Sequence, residues 1–426
     1  MVQQELLERL NRACTTQRWT DHLRPFDLTV QGKHAHMMTI AWVLGKQQET
    51  GGQELDWDSF WVRVVEGGLF ELLRKCVILD LKSQLFARLR NESGDKLNEY
   101  AFGVLEPEMR GIAGDPFGRF KSYFSDAASS AEHKLARDVL RAASCLATAW
   151  EFNVIENANA FMPDAAESRL NIERDKKNHQ FLPGFSAIDR RENDTARFVD
   201  LCGRLRFQER WSHTPIVPRR GVLDHELMVA NLAYLVALER EYSPARSVND
   251  FFGGLFHDLL EALTRDIVSG LKKDLNRYPE LAEVMKQYER DEFDNVRRMV
   301  PSSCHHDLEF FVWNEFEARS RPDPDSPPDL TGCPSDGALW LCCDGDLIHE
   351  CDQFAAYMEA YFSLNYGTKS RDLKKAVYRM YLLRDRAASE FRGAYKNWYE
   401  HVEHDIERPL MNEVEDKIRS ETKAAT

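Results

Sequence analysis

The chain has no CxxC pair among its nine cysteines, an odd number that includes the adjacent Cys342-Cys343. Such a set is poor material for a disulfide framework or a structural zinc site, and it fits a reducing compartment. Long apolar runs are also missing: none approaches the roughly 20 residues that cross a bilayer. The opening Met1-Val2-Gln3-Gln4-Glu5 has no basic segment leading into an apolar one, so no secretory signal is visible. The expectation is a cytoplasmic protein that engages no membrane. Positive charge is short as well. With 56 Lys+Arg against 70 Asp+Glu the formal charge is −14, which argues against binding a nucleic-acid polymer, because phosphate backbones select basic surfaces. A small anionic substrate remains open, since one arginine or a metal can reverse the sign inside a pocket. Alternating strand patterns are scarce.

What is present is helical periodicity over a chain long enough for two domains, at 426 residues, 43% hydrophobic and 30% charged. From Leu227, apolar residues at Met228, Val229, Leu232, Leu235, Val236 and Leu238 follow the spacing of one helix face. Similar stripes run through 40–44, 70–86, 139–150, 310–316 and 339–358, so an all-α fold is expected. Residues 175–184 (DKKNHQFLPG) are charged and closed by Pro-Gly, which marks a connector between halves. Residues 319–337 carry five prolines and read as a surface loop.

The most informative stretch is Gly253-Gly254-Leu255-Phe256-His257-Asp258, followed by Glu261 one turn on and by Asp266. Two adjacent groups able to ligate a metal, with a carboxylate next along a rigid element, are what a metal-assisted hydrolase needs. The phrase recurs as Gly67-Gly68-Leu69-Phe70, followed by Glu71-Leu72 instead of His-Asp. Other landmarks keep the same order. Arg18-Trp19 matches Arg210-Trp211 (210 − 18 = 192), His34 matches His225 (225 − 34 = 191), and Asp80 matches Asp266 (266 − 80 = 186). Offsets that drift so little suggest a tandem duplication, with halves at 1–175 and 190–426.

Metal ligation needs groups gathered from separate elements. His225 lies on the apolar side of its helix with Met228, Val229 and Leu232, and His257 and Asp258 start the next helix of the pattern. A fourth ligand should come from later in the chain. Asp344 shares a face with Trp340, Leu347, Cys351 and Phe354, and a carboxylate facing an apolar interior is costly unless paired or metal-bound; Asp346 is its rival. Two histidines and two aspartates suit Mn²⁺, Co²⁺, Fe²⁺ or Zn²⁺ with open coordination left over. Glu261 is placed to orient a water or protonate a leaving alkoxide.

This ordered set resembles the HD-domain phosphohydrolases, and within them is most similar to the 5'-deoxynucleotidases. Arg210-Trp211, Met299-Val300-Pro301 and Trp313-Asn314-Glu315-Phe316-Glu317-Ala318 add to the likeness, which spans about residues 200–365. The resemblance implies metal binding by His225, His257, Asp258 and Asp344, and acid/base catalysis by Glu261. It further implies a phosphate held by Arg210, a sugar pocket shaped by Trp211 against a 2'-hydroxyl, and Asp266 facing the sugar. The implied activity is phosphate release from deoxynucleoside 5'-monophosphates. Alternatives are another nucleotide or phosphate ester, including triphosphates, or a non-catalytic nucleotide-binding regulator or scaffold. The alarmone-hydrolase pattern fits less well, because Ala262 stands where its acidic pair continues, and no HD-GYP signature is found. His305-His306 reads as an exposed helix start rather than as further ligands.

In the first half Glu71 and Leu72 replace the His-Asp doublet, Lys75 replaces Glu261, and the later aspartate position falls near Leu146. The reading is therefore of tandem HD-like bundles, the first degenerate and metal-free, the second active. Single-copy relatives of this kind are homodimers, so the first half is expected to stand in for a second subunit in an internal pseudo-dimer, or the chain itself to homodimerise.

Overall fold

Two helices that are buried on every side organise the molecule. In the computed structural model they are α2 (Val30–Gln48) and α10 (Val222–Glu239), each buried along almost its whole length. They pack on one another and on their neighbours at the centre, so that even polar residues such as Gln31, Lys33, His36 and Asn231 are enclosed. The structure describes residues 2–49, 55–79, 81, 83–125, 130–190, 193–264, 275, 277–321 and 341–425.

Ahead of α2 runs α1 (Gln4–Ala13), and after it come α3 (Val62–Ile78), α4 (Ser83–Met109), α5 (Pro116–Phe124), α6 (Ala131–Ile155), α7 (Pro163–Lys177), α8 (Phe185–Asp189) and α9 (Asp194–Arg204). Beyond α10 follow α11 (Pro244–Phe256), α12 (Glu261–Thr264), α13 (Pro279–Met299), α14 (His305–Val312) and α15 (Gly345–Asn365). The chain closes with α16 (Arg371–Leu383), α17 (Arg392–Val402) and α18 (Arg408–Ala425). Among the described residues the sheet content is one antiparallel pair, β1 (Arg319–Arg321) with β2 (Leu341–Cys343). The fold is all-α, as the periodicity predicts. No helix among the described residues is long and apolar enough to cross a membrane.

Several boundaries differ from expectation. The stripe at 70–86 is two helices, because α3 ends at Ile78 and Leu79 takes a left-handed φ of 65°. The stripe at 339–358 is not helical from its start. Leu341–Cys343 pairs as a strand, and the helix begins only at Gly345. Residues 322–340 of the Pro-rich stretch lie outside the described residues, whereas Arg319 is buried and donates to the Phe310 and Asn314 carbonyls. His305 does open α14, but both histidines of that pair are half-buried rather than exposed.

One buried cluster runs from Val2 to Val414. Trp42 of α2 meets Phe256 of α11 edge-on with centroids 5.0 Å apart, and Trp61 meets Phe252 at 5.8 Å. Polar contacts cross the same seam: Thr29 donates to the Asp224 carboxylate, and Gln31 Nε2 donates to the Asp224 carbonyl at 2.8 Å. The C-terminal helices sit on α15 through stacked rings. Phe354 lies on Phe391 at 4.2 Å and Tyr361 on Trp398 at 5.1 Å.

Candidate metal centre

Three helices deliver the site. His225 sits in the first turn of α10, His257 and Asp258 follow directly on α11, and Asp352 and Glu359 lie two turns apart on α15. The close crossing of α10 and α11 depends on a glycine: a Cβ on Gly254 would stand 2.9 Å from Ala230 Cα, backbone against backbone.

Ligand atoms of His225, His257 and Asp352 all lie within 4.8 Å of one another. Both imidazoles are wholly buried, and hydrogen bonds fix how each faces. His257 Nδ1 donates to the Gly254 carbonyl at 2.8 Å, which leaves its Nε2 lone pair to the site. That Nε2 is 3.1 Å from Asp258 Oδ2, close enough to pair with it when the ring is protonated. His225 Nδ1 donates to Glu359 Oε1 at 3.0 Å, while Nε2 faces Asp352 Oδ1 at 2.8 Å. A carboxylate behind a histidine whose other nitrogen turns into the site is the second shell of metal centres.

Charge fits as well. Asp258, Asp352 and Glu359 surround a single arginine, Arg210, whose Nη1 is 3.5 Å from Asp258 and whose Nε is 3.3 Å from Glu359. Burial alone would raise these carboxyls. Arg210 and the histidines outweigh it and hold all three below the usual range. Burial likewise pulls the His257 imidazole down, but Asp258, Asp352 and Glu226 push it up to about 10. The cluster demands added positive charge, which a proton or a divalent cation can supply.

Residues 202–380 match the family model of the HD domain. HD domains are generally metal-dependent hydrolases, and the match covers every group just described. No curated protein and no solved structure matches the chain.

The sequence-derived residues divide as follows. His225, His257, Asp258 and Arg210 are gathered. Trp211 adopts a left-handed φ of 59° and donates its indole N–H to Glu359 Oε2 at 2.8 Å. A bulky residue there costs on the order of 1–3 kcal/mol and persists only where surroundings hold it. Glu261 opens α12, its carbonyl accepting from Gln208 at 2.7 Å, and one of its carboxylate oxygens is shut from solvent. Asp266 lies outside the described residues. Asp344 does not join the HD cluster. It is the N-cap of α15, accepting from Leu347 N at 3.0 Å, and its other oxygen takes Arg246 at 2.6 Å and Tyr242 at 3.3 Å. Asp346 is exposed in the first turn. Where an aspartate was expected from this segment, the structure places Asp352 instead, because the helix starts at Gly345 and its first turn, with Asp344 and Asp346, does not reach His225.

Asp352 and Glu359 are the residues that sequence reasoning missed. The signal was there: two carboxylates at i, i+7 on a helix whose neighbours Cys351, Phe354, Ala355 and Met358 are all buried. The first half has parallel features. Isolated bridges Gln17↔Thr29 and Glu209↔Gly221 share an offset of 192 (209 − 17 and 221 − 29). Trp19 has φ 55°, donates to Glu151 at 2.9 Å, and stands beside Arg18, which pairs with the same carboxylate at 3.0 Å.

The bridge register shifts one match by a residue. With an offset of 192, Lys33 rather than His34 stands opposite His225 (225 − 192 = 33), and His34 merely bonds the Val30 carbonyl. Glu151 against Glu359 sets an offset of 208 on the later helix, so Ser144, not Leu146, stands opposite Asp352 (352 − 208 = 144). Lys33 Nζ donates to Ser144 Oγ, just where His225 meets Asp352. Asp80, like Asp266, lies outside the described residues.

Proposed function

We propose that residues 202–380 form a metal-dependent phosphomonoesterase that acts on nucleotides, with deoxynucleoside 5'-monophosphates as the preferred class. The observation that carries the reading is the convergence of His225, His257 and Asp352 beside Asp258, with His257 Nε2 turned into the cluster 3.1 Å from the Asp258 carboxylate. Those four residues would hold one divalent cation, Mn²⁺, Co²⁺, Fe²⁺ or Zn²⁺. Such a cation supplies a Lewis acid and lowers the pKa of water towards neutrality. Glu359 keeps His225 turned to the site. Arg210, shared between Asp258 and Glu359, would bind a phosphate through its planar fork once Asp258 is engaged. Glu261 would exchange the proton with the attacking water and the leaving alkoxide. Trp211, held rigid by Glu359, would form the sugar wall that disfavours a 2'-hydroxyl.

The same reading takes the halves 1–175 and 190–426 as copies of one ancestral unit. The shared bridge register, the paired left-handed tryptophans and the two buried glutamates support it, and so does the contact between α2 and α10, which is that of an internal pseudo-dimer. A lysine where His225 should be, a serine for Asp352 and a leucine for Asp258 make the first copy catalytically silent.

The test is a phosphate-release screen over ribo- and deoxynucleoside mono-, di- and triphosphates with metal replete, run beside metal analysis of two variants. Asp352→Asn should lose the bound cation and at least about 100-fold in rate, in the range expected for stripping a metal ligand. Asp344→Asn should keep both and lose only about 1 kcal/mol of stability, because asparagine still caps the helix and only the charged bond to Arg246 is weakened. Retained metal and rate in Asp352→Asn, or their loss in Asp344→Asn, would reverse the ligand assignment.

A further inference from the structure

Cys145, Asp175 and His179 form a second group of ligands away from the HD cluster. One atom from each lies within 4.8 Å of the other two. Cys145 is buried on α6, Asp175 is in the last turn of α7, and His179 follows that helix at the i+4 position, which puts both side chains on one face. His179 Nε2 is 3.6 Å from Asp175 Oδ1. With bonds of about 2.3 Å to sulfur and about 2.0–2.2 Å to nitrogen and oxygen, a tetrahedral ion spaces its ligand atoms by roughly 3.3–3.6 Å. The ring is steadied by Phe185, 6.1 Å away between centroids. The nearby cation does not fill the space, for Lys176 is taken by Glu173 at 2.8 Å and Asp189 at 2.9 Å. Asp175 is about half exposed, so the group is reachable from solvent.

The geometry points to a zinc site at Cys145, Asp175 and His179, a divalent ion held by one thiolate, one carboxylate and one imidazole, with water as fourth ligand. Borderline-soft Zn²⁺ suits a mixed sulfur, nitrogen and oxygen set. On binding, the thiol S–H breaks, its proton leaves to solvent, and a sulfur–zinc bond takes its place. The ion would staple the charged connector at 175–184 to α6, joining the segment between the halves to the core of the first. Cysteine spacing gives no hint of it, because the three ligands sit 30 and 4 residues apart in the chain (175 − 145 and 179 − 175).

Cobalt(II) added to the full-length, reduced protein tests this without reference to catalysis. Thiolate ligation gives an intense near-ultraviolet charge-transfer absorption that an imidazole and carboxylate centre such as the HD cluster lacks. The expected result is this band rising to the intensity of one thiolate-bound cobalt per chain, reached by two equivalents at most, with zinc competing it away. Cys145→Ser, close to isosteric, should abolish it and lower bound zinc by one ion per chain, and His179→Gln should weaken cobalt binding by at least 10-fold. Asp258→Asn should leave the band intact. No band at saturating cobalt means that Cys145 only donates a hydrogen bond to Asp175, and a band surviving Cys145→Ser places the metal on another thiol. Either result overturns the site.

Discussion

Lys33 shows at the level of one residue what burial does to a charge in the first half. Its ammonium is buried where the second half has an imidazole, and its polar contacts are Ser144 Oγ and the Met37 sulfur at 3.8 Å. Burial, with Arg18 and Lys75 adding repulsion, lowers its pKa from 10.5 to about 7. Between these values the unfolded chain keeps a proton that the folded one has shed. Stability therefore rises with pH through this window, by up to about 1.4 kcal/mol per pH unit for one group, and the burden is greatest below pH 7. Lys33→Met removes the ammonium and keeps the stem. At pH 7 it should match or exceed the wild type in urea unfolding, and its advantage should shrink steadily towards pH 9.5. A difference that does not change with pH would show that Lys33 is charged and well compensated at its site.

At the level of the element, the site depends on how tightly α11 lies on α10. Gly254→Ala should gain up to about 1 kcal/mol in helix propensity. Its new methyl, however, would meet the Ala230 backbone at 2.9 Å, where nothing flexible can yield. Overpacking of this kind costs about 1–3 kcal/mol. The helix shift would also carry His257, whose Nδ1 bonds the Gly254 carbonyl, out of line. A lowered melting temperature with at least 10-fold weaker metal binding is expected, against no loss in Gly393→Ala, where a Cβ meets nothing within 4 Å. Equal behaviour of the two variants would remove the glycine from the design of the site. The Gly-Gly phrase was readable in the sequence, and so were the two histidines and the all-helical fold, because local periodicity carries them. The carboxylate that faces His225 was not. Asp344 shares a helical face with Leu347 and Cys351 on paper, but the β1–β2 pairing takes the chain before it and turns it into a cap. Where a helix begins is decided by tertiary pairing that the pattern of one segment does not contain. The opposition of Lys33 to His225 was hidden for a related reason: a one-residue shift in offset is invisible until a backbone bridge fixes the register.

For the whole molecule, the question is whether the two halves are independent bodies. Their contact is a core, not a docking surface. Trp42 is 1% exposed because Phe256 and Phe311 of the other half close over it, and Tyr234 reaches across to Glu66 at 3.1 Å. Arg206 bonds both Glu151 and the Gly32 carbonyl at 2.9 and 2.8 Å, so the second half also fills the polar pocket of the first. Burying a large aromatic stabilises by several kcal/mol, and cutting the chain would expose several at once. Net stabilities of only about 5–15 kcal/mol leave no room for that loss. Residues 1–190 and 193–426 expressed separately should therefore each lack a cooperative thermal transition, and co-expression should restore one, with metal bound. A sharp, reversible transition in the isolated 193–426 fragment would instead make the first half an accessory rather than the other side of a shared core. The HD cluster in that fragment would then be expected to bind metal with undiminished affinity, since every group assigned to the ion lies within it.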